Sequence, residues 1–235
     1  MSLSIIIPTF NEALNIADCL RRTQAANPHA EILVVDGGTD QTREIVHQFA
    51  ATNPLIRYIP NKPDLGKGHA IRVGIQAAQY NFIAQLDADL QFHPEELSLL
   101  TAPLQENRAD FVMGTRFAPQ SVRAPGSTPM LRTFGNKVIS GFVSLLFLKR
   151  MTDVLAGVKA WKKEVTNSYM LESNTYSYEV ELPIKALLGG WKVIEVPVTT
   201  VARLHGQSSV RVFSVGMRLL KDITSWRLRS LLGAL

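Results

Sequence analysis

The chain has 235 residues, 46% of them apolar and 19% charged, with a formal net charge of +5. That length and balance suit one large domain with a real core and exclude a disordered chain. A lone cysteine, Cys19, excludes an internal disulfide and suits a reducing compartment.

The N-terminus, MSLSIIIPTF, has no basic region and too short an apolar run for a signal peptide. No apolar run approaches the roughly 18 to 20 residues of a membrane span. A soluble or peripherally bound intracellular protein is expected.

Short apolar runs read as strands at LSIII (3–7), EILVVD (31–36), LIRYI (55–59), FIAQLD (82–87) and FVMG (111–114). They are continuous rather than alternating, as parallel strands covered on both faces are. Segments 12–26, 41–51, 66–79 and 94–107 read as helices. Asn27-Pro28 and Asn53-Pro54 each mark an exit from a helix toward a strand, because proline disfavours helical geometry in the residue before it. Repeated βα units predict an α/β fold with a parallel sheet, whose ligands bind beyond the carboxyl ends of the strands. One crevice would then gather Pro8 to Glu12, Asp36 to Asp40, Asp87-Ala88-Asp89 and Thr115-Arg116. Asn11 and Asp40 also suit helix N-caps.

Residues 117–130, rich in Pro, Ser and Gly, read as a mobile loop and a candidate lid. Leu131, Phe134, Val138, Phe142 and Leu146 form a stripe on a helix over 131–148. A helix over 176–190 ends in glycines, and a strand covers 191–200 with Pro197 near its edge. From 210 to 232, Val212, Val215, Leu219, Leu220, Ile223 and Trp226 share one helical face, with Arg211, Arg218, Lys221 and Arg229 largely opposite. Such a helix either docks on the core with a solvated basic face or lies on anionic lipid. Between 202 and 229, six lysines and arginines plus His205 face one acid, Asp222, which suits an anionic partner. No linker divides the chain.

The two aspartates that end the fourth strand need a reason. His93-Pro94-Glu95-Glu96 already supplies the next helix start. Paired carboxylates on a tight turn are hard oxygen ligands for Mg²⁺ or Mn²⁺, completed by substrate phosphate and water. No G-x-G-x-x-G follows the first strand, and GKGH at 66–69 lacks the spacing of a P-loop. The five histidines have no metal-ligand spacing. No nucleic-acid motif is present.

SIIIPTFNE (4–12), ILVVDGGTDQT (32–42), GKGHAIRVGIQAA (66–78), LDADLQFHPEEL (86–97) and MGTRF (113–117) resemble the family 2 glycosyltransferases, in the same order. SYEVELPIKALLGG and EVPVTTVARLHGQSS are similar to the branch that charges polyprenyl phosphates. The resemblance implies a GT-A fold: a Rossmann-like, mostly parallel central sheet with helices on both faces, in one domain over 1–235. Residues 1–116 would bind the nucleotide sugar, 117–209 the acceptor, and 210–235 would form the basic amphipathic helix.

By the same resemblance, Pro8, Phe10, Glu12, Val35, Asp36 and Ala88 fall where the family holds the donor nucleotide, with phenylalanine at 10 in place of the usual tyrosine. Asp87 and Asp89 are similar to the metal and diphosphate ligands, with Gln91 in the metal shell. Arg116 and Arg132 take acceptor or leaving-group phosphates, and Arg203 lies in a loop closing over the donor. Two positions depart from the pattern. Gly37 stands where the second strand usually ends in a second acid, so a carboxylate is missing unless Asp36 or Asp40 substitutes. Ser209 replaces a lysine, and Arg211 is the residue to stand in for it.

The leading expectation is an inverting, metal-dependent transfer from a nucleoside-diphosphate sugar to a polyprenyl (dolichyl-type) phosphate. The site would lie at the cytoplasmic membrane face, in peripheral contact with lipid and with room for a separate anchor protein. Asp89, Arg116 and Glu179 are the candidate catalytic residues. An anionic lipid phosphate needs no general base. A hydroxyl acceptor would need one, with Glu179 first and Glu181 or Asp153 behind it. A soluble transferase of that kind, or a non-catalytic binder of nucleotide sugars, are the alternatives.

Overall fold

A computed structural model describes residues 2–206 and 212–233; Ser209 and Arg211 lie outside them. The strands are β1 (Leu3–Thr9), β2 (Glu31–Asp36), β3 (Ile56–Pro60), β4 (Phe82–Gln85), β5 (Phe111–Thr115), β6 (Val122–Arg123), β7 (Lys159–Lys162), β8 (Val193–Pro197) and β9 (Thr199–Thr200). The helices are α1 (Ile16–Ala26), α2 (Thr42–Thr52), α3 (Lys67–Ala77), α4 (Leu97–Gln105), α5 (Met130–Phe147), α6 (Lys163–Asn167), α7 (Tyr178–Leu188) and α8 (Val212–Leu231). Seven strands form one sheet in the order β3-β2-β1-β4-β7-β5-β8.

The strand alternation sorts the core into two layers. Ile5 and Ile7 of β1 pack with Ile16, Leu20, Val46 and Leu97 from α1, α2 and α4. Ile6, between them, packs with Ile71, Val143, Val180 and Ile223 from α3, α5, α7 and α8. Helices therefore cover both faces of a mostly parallel sheet, the GT-A architecture. Each fully buried Ile or Leu contributes about 1.5 to 3 kcal/mol of transfer free energy.

β7 was not foreseen in the sequence. It lies antiparallel between β4 and β5, Ala84 opposite Ala160 and Phe111 opposite Trp161. Trp161 stacks on Phe111 with ring centroids 5.8 Å apart, so an aromatic pair seats a strand whose ends are both lysines.

Other boundaries move for local reasons. The fourth strand stops at Gln85 rather than Asp87, because the chain turns toward the cleft. α1 starts at Ile16, not 12, since Asn11 has φ 57° and begins a turn. Asn11 caps no helix: its Oδ1 accepts from the N–H groups of Thr39 and Asp40, tying two loops together. Asp40 accepts from Thr42 N–H and also from Ala13 N–H, both at 3.0 Å.

The 117–130 segment is not a free loop. β6 pairs with β9, and Ala124 N–H donates to Thr200 O at 2.9 Å. The α5 stripe splits: Phe142 and Leu146 pack on the core, while Leu131, Phe134 and Val138 are exposed. α8 docks through Leu219, Ile223 and Trp226 and leaves Met217, Leu228 and Leu231 exposed. No helix among the described residues is long and apolar enough to cross a membrane.

Candidate active site

The carboxyl ends of β1 to β4 open onto a cleft of about 770 Å³, within the range of small-molecule sites. Pro8, Phe10, Glu12, Asp87, Ala88, Asp89, Gln91, Arg116, Arg132, Glu179 and Arg203 line it, whereas Val35, Asp36, Asp40, Asp153 and Glu181 do not. Val35 is fully buried under α3, since a strand side chain points to a sheet face and not along its edge. Asp36 is buried too. Its Oδ1 accepts from the Thr9 hydroxyl at 2.9 Å and Gly38 N–H at 3.1 Å, and its Oδ2 from the Tyr58 hydroxyl at 3.3 Å. It braces loops instead of facing a ligand.

At one end of the cleft lie Asp87 and Asp89. Asp89 is buried; its Oδ2 pairs with Arg203 Nη2 at 2.8 Å and its Oδ1 accepts from Gln91 N–H at 3.1 Å. Arg203 Nη1 also lies 3.7 Å from Glu12 Oε1. The segment after β9 is thereby tied across the cleft, and Asn15 Nδ2 adds a bond to His205 O at 3.3 Å. Burial raises the Glu12 carboxyl above its ordinary range, against the pull of Asn15 and Arg203.

Asp87 meets a cation that the sequence reading did not place: Lys67 Nζ, 2.6 Å from its Oδ1. The only sign of it was the lysine between two glycines in GKGH. Burial raises the Asp87 carboxyl to about 6, with Lys67 pulling the other way. A Cβ on Gly157 would stand 2.3 Å from Asp87 Oδ2. Position 157 must therefore be glycine for this carboxylate to keep its place.

Beneath the two aspartates is a buried polar network. Glu179, in the first turn of α7, pairs with Lys159 of β7 and with Lys67 Nζ at 3.0 Å. It also accepts from the Tyr178 hydroxyl at 2.5 Å and Gln85 Nε2 at 3.2 Å. Lys159 is fully buried and donates to Ala156 O as well. Burial alone would raise the Glu179 carboxyl, but Lys159 and Lys67 outweigh it and hold it at about 2. The other two acids considered as bases are engaged elsewhere. Glu181 pairs with Lys185 at 2.8 Å and accepts from Glu172 and Ser173 N–H groups. Asp153 is buried against Arg116.

Arg116 is held as a fork, donating from Nε and Nη2 to Asp153 at 2.6 and 2.7 Å. With the Asn136 amide oriented to satisfy its neighbours, its oxygen accepts from Arg116 Nη2 at 2.9 Å. Asp153 is fixed in turn, its N–H donating to Glu195 at 2.8 Å. That leaves Nη1 of a rigidly aimed guanidinium without a partner among the described residues. Arg132 borders the same part of the cleft.

The donor set fits a hard divalent cation. Asp87 Oδ1 faces Lys67 Nζ at 2.6 Å while its Oδ2 makes no hydrogen bond among the described residues, and Gln91 Nε2 is bound to Ser127 O at 2.9 Å, which leaves its Oε1 open to a ligand. Among the described residues no three His, Cys, Asp or Glu side chains cluster as ligands. Such an ion would hold two carboxylates and complete its sphere from phosphate and water, as Mg²⁺ commonly does.

The model of glycosyl transferase family 2 matches residues 4–163. A polyprenol monophosphomannose synthase of Mycolicibacterium smegmatis is 29% identical over 96% of this chain and 86% of its own length. An undecaprenyl-phosphate mannosyltransferase of Micrococcus luteus is 29% identical over 97% of this chain and 95% of its own. Among solved structures, glucosyl-3-phosphoglycerate synthase from Mycobacterium tuberculosis, in complex with Mn²⁺, UDP and glucosyl-3-phosphoglycerate, superposes with a TM-score of 0.68. It is 19% identical, over 99% of this chain and 79% of that one. Mannosyl-3-phosphoglycerate synthase from Rubrobacter xylanophilus gives 0.70 at 18% identity, over 100% of this chain and 76% of that one.

Proposed function

The chain belongs to glycosyl transferase family 2, and on that premise we propose that it transfers a sugar from a nucleoside diphosphate to the phosphate of a polyprenyl lipid. One observation carries the choice of acceptor. Glu179, the acid best placed to act as a base, is buried and already engaged: it pairs with Lys159 and with Lys67 Nζ at 3.0 Å and accepts from the Tyr178 hydroxyl at 2.5 Å. A carboxylate stabilised that strongly as an anion is a poor proton acceptor near neutral pH. A hydroxyl acceptor needs a base; a phosphate oxygen is already a nucleophile. The names of the two relatives, a polyprenol monophosphomannose synthase and an undecaprenyl-phosphate mannosyltransferase, support the same reading.

In this mechanism Phe10, 59% exposed at the mouth of the cleft, offers a face to the base. Pro8, Glu12 and the Ala88 backbone flank the donor. Asp87, Asp89 and Gln91 would hold a divalent cation, which when bound would supply positive charge against the diphosphate leaving group. Arg116 Nη1 and Arg132 position the lipid phosphate. Its oxygen attacks the anomeric carbon as the bond to the diphosphate breaks, so the configuration inverts. Arg203 would leave Asp89 and Glu12 for the donor phosphates.

We read the domain in the same way: 1–116 for the donor, 117–209 for the acceptor, and α8 as the basic helix that follows. Leu131 and Phe134, exposed one residue to either side of the Arg132–Thr133 pair, form an apolar approach for a lipid. Peripheral contact at the cytoplasmic membrane face is the corresponding location.

The test supplies labelled nucleotide sugars and Mg²⁺ or Mn²⁺ with and without polyprenyl phosphate. Label should enter the organic phase only when the lipid phosphate is present, and not with Asp89→Ala. Label that stays aqueous and moves only to hydroxyl acceptors would sink the lipid reading.

A further inference from the structure

Gly37 and Asp64 lie across one gap, in the segments that follow β2 and β3. A Cβ built on Gly37 would stand 2.7 Å from Asp64 Cγ and 3.0 Å from its Oδ1. Position 37 has no left-handed backbone that demands glycine; its side-chain space is filled by the Asp64 carboxylate. Asp64 lines the cleft with Phe10 and Asn11.

The neighbouring acids are not available for a ligand. Both oxygens of Asp36 are taken by Thr9, Gly38 and Tyr58 in a buried setting. The Asp40 oxygens accept from Ala13 and from the N–H and hydroxyl of Thr42. Asp64 differs. Its Oδ1 accepts from Asn61 Nδ2 at 2.8 Å and Gly66 N–H at 2.9 Å, while its Oδ2 has no hydrogen bond among the described residues. Asn61 is itself buried and fixed, its N–H donating to Asp36 O at 2.8 Å and its Oδ1 bonded to His69 Nδ1. The result is an exposed carboxylate pinned through Oδ1 with Oδ2 unbonded among the described residues, in the same cleft as an exposed aromatic ring.

We propose that Asp64 reads the nucleotide base, selecting bases that carry a ring N–H on the pairing edge. Guanine offers N1–H beside its amino group, and uracil offers N3–H. Adenine N1 and cytosine N3 present lone pairs at that ring position, so these bases offer the carboxylate an exocyclic amino group but no ring N–H. The inference rests on reading this cleft as a nucleotide-sugar site, but not on the acceptor.

Calorimetric titration with GDP, UDP, ADP and CDP in Mn²⁺ tests it, on the full chain and on three variants whose melting is monitored. Wild type should favour GDP or UDP over ADP and CDP by tenfold or more, the scale of a charged hydrogen bond. Asp64→Ala should erase that preference by weakening the favoured nucleotide about tenfold while ADP and CDP stay unchanged. Gly37→Asp alone should disturb binding through its clash. The exchange Gly37→Asp with Asp64→Gly, which returns a carboxylate to the gap from the other strand, should recover much of the preference. Retention of the wild-type ranking in a folded Asp64→Ala variant would overturn the base-reading role while leaving the nucleotide site intact. Failure of wild type to bind any of the four would overturn both.

Discussion

Lys67 Nζ lies 2.6 Å from Asp87 Oδ1, so one ligand expected to hold a cation already faces an ammonium. The same ammonium reaches Glu179 at 3.0 Å and couples the donor cleft to the buried network below. Burial raises Asp87 to about 6 and Lys67 opposes that rise. Mn²⁺ binds the ionised carboxylate, so Mn²⁺ affinity should fall as pH drops through about 6. Lys67→Met removes the opposing charge, and its midpoint should move to higher pH. Mn²⁺ titration by electron paramagnetic resonance at several pH values reads both; an unmoved midpoint would contradict the pairing.

Gly157→Ala should act on the site and spare the fold. Its Cβ would fall 2.3 Å from Asp87 Oδ2, while Gly157 has no positive φ that alanine must avoid. We expect Mn²⁺ affinity to drop about ten- to a hundredfold, the scale of disturbed support around a metal ligand. The melting temperature should change by only a few degrees. Unchanged affinity would mean that Asp87 can swing clear without cost.

Glu179 is a depressed carboxylate, and the sign of its contribution follows. Its folded value near 2 lies below the ordinary 4.5, so it stabilises the fold above pH 4.5 and loses that effect as pH falls toward 2. Glu179→Gln leaves Lys159 buried without its counter-charge and should cost about 3 to 5 kcal/mol. Denaturant unfolding between pH 3 and 7 should show a smaller pH dependence in the variant than in wild type. If Glu179 served as a base instead, the transfer rate would carry a proton-transfer limb that Glu179→Gln abolishes.

Leu131→Glu with Phe134→Glu replaces exposed apolar side chains on α5 with charge. Flotation with anionic vesicles should fall several-fold, nucleotide affinity should be unchanged, and KM for the lipid acceptor should rise. Equal flotation of both proteins would remove α5 from the membrane contact.

The parts of this molecule that were legible in the sequence announced themselves by conflict. Asp87 and Asp89 follow directly on a buried strand, where charge has no structural use, and they do line the cleft. β1, β2 and β5 were legible because parallel strands covered on both faces are apolar without interruption. β7 was not, because KAWK carries two lysines, and one of them is buried only through Glu179, twenty residues on. Val35 and Asp36 do not line the cleft although their neighbours in sequence border it: pleating turns Val35 inward, and the hydroxyls of Thr9 in β1 and Tyr58 in β3 and the Gly38 N–H capture Asp36. Lys67 was visible only as the centre of a glycine pair, since its partners come from the turn after β4 and from α7.

The antiparallel β7 also has a consequence for how the protein is made. Its four residues, 159 to 162, seal the open edges of both β4 and β5. During synthesis the first five strands emerge well before the one that joins them, with one edge of β4 and both edges of β5 unpaired meanwhile. A chain cut near residue 150 would hold the whole nucleotide-facing half and yet be prone to associate edge to edge. The nascent chain must therefore stay separate from its neighbours until residue 162 has cleared the ribosome.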